Sequence, residues 1–310
     1  MIEIIKIKNN IKDLSSKISL NIDSIFIQQN NNIDKIFYKP EKLHELRSIS
    51  KLLVAMTVGI AIDKKMLING EPISLSTLIY PSIKHIINIT NLDNLEKIKK
   101  WTIKDLLLHS TGYESQMFSG DFIKDIPENK LLDYALNYDM PYDIGTRFAY
   151  NNVEPFIISV LFSEAFNINL SDFINENIFS KMNIFDYKWD NFGKYCAAST
   201  GLYLKHSDLH KIAQLLLNDG MYSNLQIIPN NWIKQICSLQ MSTPYLYKPE
   251  RVLPKLGVGY FTFISRDGFI FRAGANGQYI ILNREKKLLI TILSSEKDMK
   301  NIIEILRNII

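Results

Sequence analysis

Arg47-Ser48-Ile49-Ser50-Lys51 runs directly into Leu52-Leu53-Val54-Ala55-Met56-Thr57-Val58-Gly59-Ile60-Ala61-Ile62, a segment apolar on every side. A helix of that composition belongs in a core, and its first turn puts Ser48 and Lys51, three residues apart, on one face. Burying an ammonium is costly unless it is paired or neutralised. A desolvated lysine beside a hydroxyl is one way to make that hydroxyl a nucleophile. A second Ser-x-x-Lys stands at Ser294-Ser295-Glu296-Lys297, where Ser295 with Asp298 resembles a capping box opening an amphipathic terminal helix through Ile302, Ile303 and Ile305. Position separates the two copies: Lys297 can reach water, whereas Lys51 opens a helix with almost no polar face.

A Ser-Lys pair needs a further proton relay and an oxyanion hole. Two later segments offer them in order. Gly145-Thr146-Arg147-Phe148-Ala149-Tyr150-Asn151-Asn152 ends in Tyr-x-Asn just before an apolar helix and supplies a phenol and an amide. Arg272-Ala273-Gly274-Ala275-Asn276-Gly277-Gln278 links two expected strands and supplies a cation and glycine-freed backbone N–H groups. Tyr222-Ser223-Asn224 repeats the Tyr-x-Asn pattern, in a solvated loop after Gly220.

Other chemistry-bearing residues read as structural. His206 and His210, four apart, form a plain helix face, because a helix turns the intervening Asp208 elsewhere. His109, at helical spacing from Asp105 and before a helix end, reads as a capping or core-bonding histidine. Trp101, Trp189 and Trp232 read as packing anchors. Cys196 and Cys237 suit reduced, buried thiols and make neither a disulfide framework nor a zinc site. The sequence calls for no metal and no cofactor.

The elements that must position these residues follow from periodicity. Residues 24–29 and 33–38 read as two strands joined by an Asn-rich turn. Strands return at 256–264, 269–272, 278–283 and 288–293, a meander closed by a helix from Ser295. Between these flanks the signals are helical, at Thr102–His109, Asn129–Asn137, Val153–Ala165, Leu170–Ile178, Ser207–Leu217 and Asn230–Ser238. The expected fold is α+β: an antiparallel sheet built from both chain ends and flanked by helices, with an inserted all-helical lobe. Residues 1–70 and 250–310 would together form the sheet domain, and 71–249 the helical insertion. The crevice between them is the natural place for a site.

Composition sets outer limits. At 310 residues, 46% hydrophobic and 22% charged, the chain has ordinary globular values. Its formal charge is +4, from 36 basic against 32 acidic residues, and the basic residues are scattered, so no nucleic-acid partner is expected. Residues 1–9 lack the apolar stretch of a signal peptide, and the Leu52–Ile62 run falls short of the roughly 20 residues that span a bilayer. A cytoplasmic protein without a membrane partner is the expectation.

Taken in order, Ser48-Ile49-Ser50-Lys51, Trp101-Thr102-Ile103-Lys104-Asp105-Leu106-Leu107-Leu108-His109-Ser110-Thr111-Gly112, Gly145 to Asn152 and the glycine-rich stretch 274–279 resemble the motifs of the class C beta-lactamase family, which includes penicillin-binding-protein-like relatives, esterases, D-amino-acid peptidases and amide hydrolases. Ala197-Ala198-Ser199-Thr200-Gly201-Leu202, with Ser207-Asp208-Leu209 and Leu216 to Gly220, resembles a recurrent stretch of its helical region. The likeness covers roughly residues 20–310. It implies a beta-lactamase/transpeptidase-like fold and a serine hydrolase acting on a small molecule or short peptide. By position, Ser48 is similar to the acylated nucleophile, Lys51 to its activating partner and Tyr150 to the general base. Asn152 resembles the amide that holds the lysine and the substrate acyl group, and Gln116 sits where some members place another substrate-contacting amide. Backbone N–H groups of Ser48 and Ala275 would form the oxyanion hole. A phenol with an ordinary pKa of about 10 becomes a base at neutral pH only beside cations, which Lys51 and Arg272 would supply.

One motif departs from the pattern. Where the family has Lys or His, then often Thr or Ser, then Gly, this chain has Arg272-Ala273-Gly274. Arginine grips a carboxylate with two parallel hydrogen bonds but does not shuttle protons, and Ala273 offers no hydroxyl. Both changes weigh against beta-lactam hydrolysis. A true class C-like beta-lactamase, a D-alanyl carboxypeptidase and an inactive homologue that binds in the cleft stand as alternatives.

Overall fold

Both ends of the chain enter one antiparallel sheet. In the computed structural model, which describes residues 2–17, 20–114, 118, 123–248 and 251–310, its strands are β1 (Ile22–Gln29), β2 (Asn32–Phe37), β3 (Met241–Ser242), β4 (Lys255–Val258), β5 (Phe263–Ser265), β6 (Ile270–Gly274), β7 (Gln278–Asn283) and β8 (Leu288–Ser294). The helices that matter here are α1 (Ile2–Lys17), α2 (Ser50–Asp63), α3 (Ile103–Leu107), α4 (Val153–Phe166), α5 (His206–Leu217) and α6 (Met299–Ile309). The fold is α+β, with strand order β3-β4-β5-β6-β7-β8-β1-β2. The chain divides into two compact units: Met1–Ile49 with Tyr203–Val258 and Thr262–Ile310, and Ser50–Leu202 with Gly259–Phe261.

In the first unit β1 pairs with β8 in the register Ile25 to Ile292 and Ile27 to Ile290. Every residue of β8 is buried, which requires cover on both faces. Thr291 is hydrogen-bonded to α5: His206 Nε2 lies 2.8 Å and His210 Nδ1 2.9 Å from its hydroxyl. His206 Nδ1 meets Ser24 Oγ, and His210 Nε2 lies 3.2 Å from Gln28 Oε1. These two histidines, read from sequence as a plain helix face, are therefore the polar core of the sheet layer. α1 and α6 pack together, burying Ile7, Ile11 and Leu14 with Ile302, Ile305, Leu306 and Ile309, spacings that put each set on one helix face.

Three local expectations are corrected. The sequence reading gave no helix before Ser24, yet α1 fills residues 2–17. The terminal helix is capped by Asp298, whose carboxylate accepts from Lys300 N–H, while Ser295 is occupied upstream, its N–H donating to Asn21 O. The run 256–264 is broken: the chain leaves the sheet after Val258, and Phe261, left-handed at φ +52°, donates its N–H to Leu107 O within the second unit.

That second unit is built on two helices without a polar face. α2 is buried from Ser50 through Ala61, α4 from Val153 through Phe162, and they pack on each other. α3 opens with a reciprocal capping box between Thr102 and Asp105. Trp101, fully buried, donates from its indole to Thr111 O and fixes the turn after α3. Among the described residues no single helix is long and apolar enough to cross a membrane.

The histidines of α5 set an acid limit on the sheet unit. Burial holds His206 well below the ordinary imidazole range, with the neighbouring His210 a smaller cause, and burial lowers His210 to about 4. Their folded pKa values lie below the unfolded one, so the stability they permit is complete above the unfolded pKa and is lost as pH falls through the folded value. Urea unfolding midpoints should therefore hold from neutral pH to about 6.5 and fall toward pH 4, with His210 alone contributing at most roughly 3 kcal/mol of that loss. His210→Gln should flatten this slope.

Candidate active site

Lys51 is the most demanding residue of the second unit, because its ammonium lies in the first turn of α2 with no exposed surface. Nζ donates to Asn152 Oδ1 at 2.6 Å and to the carbonyl of Ser199 at 3.0 Å, and sits 5.1 Å from the centroid of the Tyr150 ring. Asn152 is in turn oriented by its own amide N–H, which donates to Phe118 O at 3.0 Å. Lys51, Tyr150 and Asn152, about 100 residues apart in sequence, thus converge. The half-buried Tyr150 stands at the end of an extended stretch fixed by Ala149 N–H to His109 O.

Ser199 escaped the sequence reading because its contribution is a backbone carbonyl. Ala198, left-handed at φ +58°, makes the turn that aims it. The only signal was the likeness of the 197–202 stretch to a recurrent family segment, which carries no chemistry of its own.

The first unit holds the remaining candidates. Ser48 is half-buried in a 3-10 turn, Arg47–Ile49, that leads directly into α2. Arg47 is left-handed at φ +52°, a conformation costly for a residue with a long side chain. The turn is tied to β6: Arg272 Nε donates to Ser48 O at 2.8 Å, and a Cβ on Gly274 would lie 2.7 Å from Leu46 O. Gly274 is thus the residue that lets β6 close on the Arg47–Ile49 turn. Arg272 is itself only 2% exposed. Ala275 follows β6 into the turn at Asn276 and Gly277, and its carbonyl accepts from Gln278 Nε2. Gln116 lies outside the described residues.

Bonded to the residue between Tyr150 and Asn152 is a buried carboxylate that the sequence reading passed over. Glu154, in the first turn of α4, accepts from His109 Nδ1 at 2.9 Å, Thr111 Oγ1 at 2.7 Å and Asn151 Nδ2 at 2.9 Å. His109 is the core-bonding histidine anticipated. Among the described residues no group of three or more His, Cys, Asp or Glu side chains is placed to hold a metal ion.

The Beta-lactamase family model matches residues 34–302. The chain belongs to the beta-lactamase family. It is a serine hydrolase of that family. Among solved structures it resembles a Bacillus anthracis protein assigned as a 6-aminohexanoate-dimer hydrolase, with 18% identity and TM-score 0.75 over 96% of this chain and 79% of that one. It also resembles EstCE1, a hydrolase with promiscuous acyltransferase activity, with 11% identity and TM-score 0.75 over 98% of each chain. A penicillin-binding protein from Bacillus halodurans matches at 13% identity and TM-score 0.70, again over 98% of each. Identities this low establish the fold. No curated protein matches the sequence.

The close approach at Gly274 gives a direct test. Gly274→Ala forces a methyl group against Leu46 O, so it should lower stability by about 1–3 kcal/mol and slow modification of Ser48 by a fluorophosphonate more than overall unfolding accounts for. Denaturant melts beside labelling rates read both.

Proposed function

We propose that this beta-lactamase-family hydrolase cleaves a small amide or ester through an acyl-enzyme on Ser48. The Ser48 hydroxyl adds to the substrate carbonyl and gives up its proton; the leaving group departs with a proton, and water then cleaves the Ser48 ester, releasing the acid and restoring the hydroxyl. Lys51 activates the serine and Tyr150 acts as general base, the ammonium beside its ring favouring the phenolate. Asn152 holds Lys51 and meets the acyl group, with Gln116 as a second amide. Backbone N–H groups of Ser48 and Ala275 stabilise the oxyanion. The observation that carries this reading is the fully buried Lys51 ammonium, held by Asn152 Oδ1 beside the Tyr150 ring. A buried cation in a polar cluster, beside a titratable phenol, is the pattern expected of a catalytic relay.

The substrate is a small molecule or a short peptide, handled without a cofactor in the cytoplasm, with neither nucleic acid nor membrane as partner. Arg272 supports a narrower choice among ester and amide substrates. Its Nε is committed to Ser48 O and its side chain is 2% exposed, while Ala273 has no hydroxyl to offer a carboxylate. This favours an esterase or amidase over a beta-lactamase or D-alanyl carboxypeptidase.

Mass spectrometry after exposure to a fluorophosphonate should find one adduct, on Ser48, that Ser48→Ala abolishes. Short p-nitrophenyl esters should turn over faster than nitrocefin, and Lys51→Ala should remove the activity. A folded protein that takes no label and cleaves no ester would instead favour a binding-only homologue.

A further inference from the structure

Glu154 is a carboxylate of the second unit with no exposed surface. A buried charge persists only where its lone pairs are met and its field is used or balanced. Here three donors come from two separate segments: His109 and Thr111 from the turn after α3, and Asn151 from the residue between Tyr150 and Asn152. The position, in the first turn of a 14-residue helix, adds the favourable end of the helix dipole. Asn151 is locked further, donating to Ala149 O and accepting from Val153 N–H. One carboxylate therefore staples the Tyr150–Asn152 segment to the His109–Thr111 turn.

The pair also reaches Tyr150 directly. The His109 ring lies 5.1 Å from the Tyr150 ring, 4.8 Å from that of Phe261 and 5.6 Å from that of Phe148, centroid to centroid. Glu154 fixes which nitrogen of His109 carries the proton, because Nδ1 must donate, and the aromatic cage fixes the plane of the ring. The ionisable groups around the carboxylate are His109, Tyr150 with Lys51 above its ring, and Tyr113. The Tyr113 phenol is kept protonated by burial first and by the Glu154 charge second, and it donates to Ala135 O.

Resting on the assignment of Tyr150 as the base, we propose that His109 and Glu154 form a positioning pair that holds the Tyr150 phenol against the Lys51 ammonium. Neither residue touches substrate. The pair acts through Tyr150, so its signature is in the protonation and chemical step and leaves substrate affinity nearly unchanged.

The test is the pH dependence of kcat and KM for a short p-nitrophenyl ester with full-length wild type, Glu154→Gln and His109→Gln, each checked for folding by circular dichroism. For Glu154→Gln kcat should fall about tenfold or more while KM stays within about twofold, and the acid limb of kcat/KM should move down, because a negative charge near the phenol is lost. A folded Glu154→Gln with the wild-type limb and kcat would overturn the proposal. If that variant does not fold, His109→Gln carries the kcat-against-KM readout, and a wild-type kcat there overturns the proposal equally. Wild type without any Ser48-dependent turnover would remove the acyl-enzyme reading and the pair's role with it, whereas an active wild type with unmoved variants removes the pair's role alone.

Discussion

The rest of the second unit is arranged around a single expensive act, the removal of the Lys51 ammonium from water. An apolar side chain of similar volume would fill the same space with less cost, so the fold has to bring acceptors to it from distant sequence. Asn152 comes from the N-cap position of α4 and the Ser199 carbonyl from a turn in which Ala198 is left-handed. Both acceptors are neutral, so they stabilise the ammonium without quenching its charge toward a neighbouring phenol. A carboxylate in either place would bind the lysine more strongly and blunt its effect on Tyr150.

The two units solve the burial of polar groups in opposite ways. Around Thr291, two imidazoles, a serine and an amide share hydrogen bonds with no formal charge, and burial keeps the histidines neutral. Around Glu154 the donors converge on a carboxylate that borders the Tyr150 segment. A neutral network lends rigidity to a sheet layer. A charged one also projects a field, which matters only where a nearby group changes its protonation.

The sheet, its antiparallel order and most helices were legible because their signals are local: two-residue alternation, apolar periodicity and Gly, Asn or Pro at turns. What escaped has a physical reason in each case. α1 carries its buried set as Ile7, Ile11 and Leu14 among many lysines and asparagines, a pattern that gains meaning only from α6. The helix cap moved from Ser295 to Asp298 because the Ser295 N–H is drawn to Asn21, a partner more than 270 residues away in the chain. In the site, side-chain chemistry could be read from Ser-x-x-Lys and Tyr-x-Asn. A backbone acceptor such as Ser199 O leaves no trace in residue type, and the importance of Glu154 depends on donors that no spacing rule links to it.

Strand β1 lies beside β8, so the hairpin formed by residues 22–37 has its main hydrogen-bonding partner only when residues 288–294 exist. On a ribosome, that hairpin emerges about 250 residues ahead of its partner strand and waits with an apolar, unpaired edge. Most of the second unit is a continuous stretch, 50–202, and needs from later sequence only Gly259–Phe261. Synthesis from the N-terminus therefore favours the helical unit taking shape before the sheet closes.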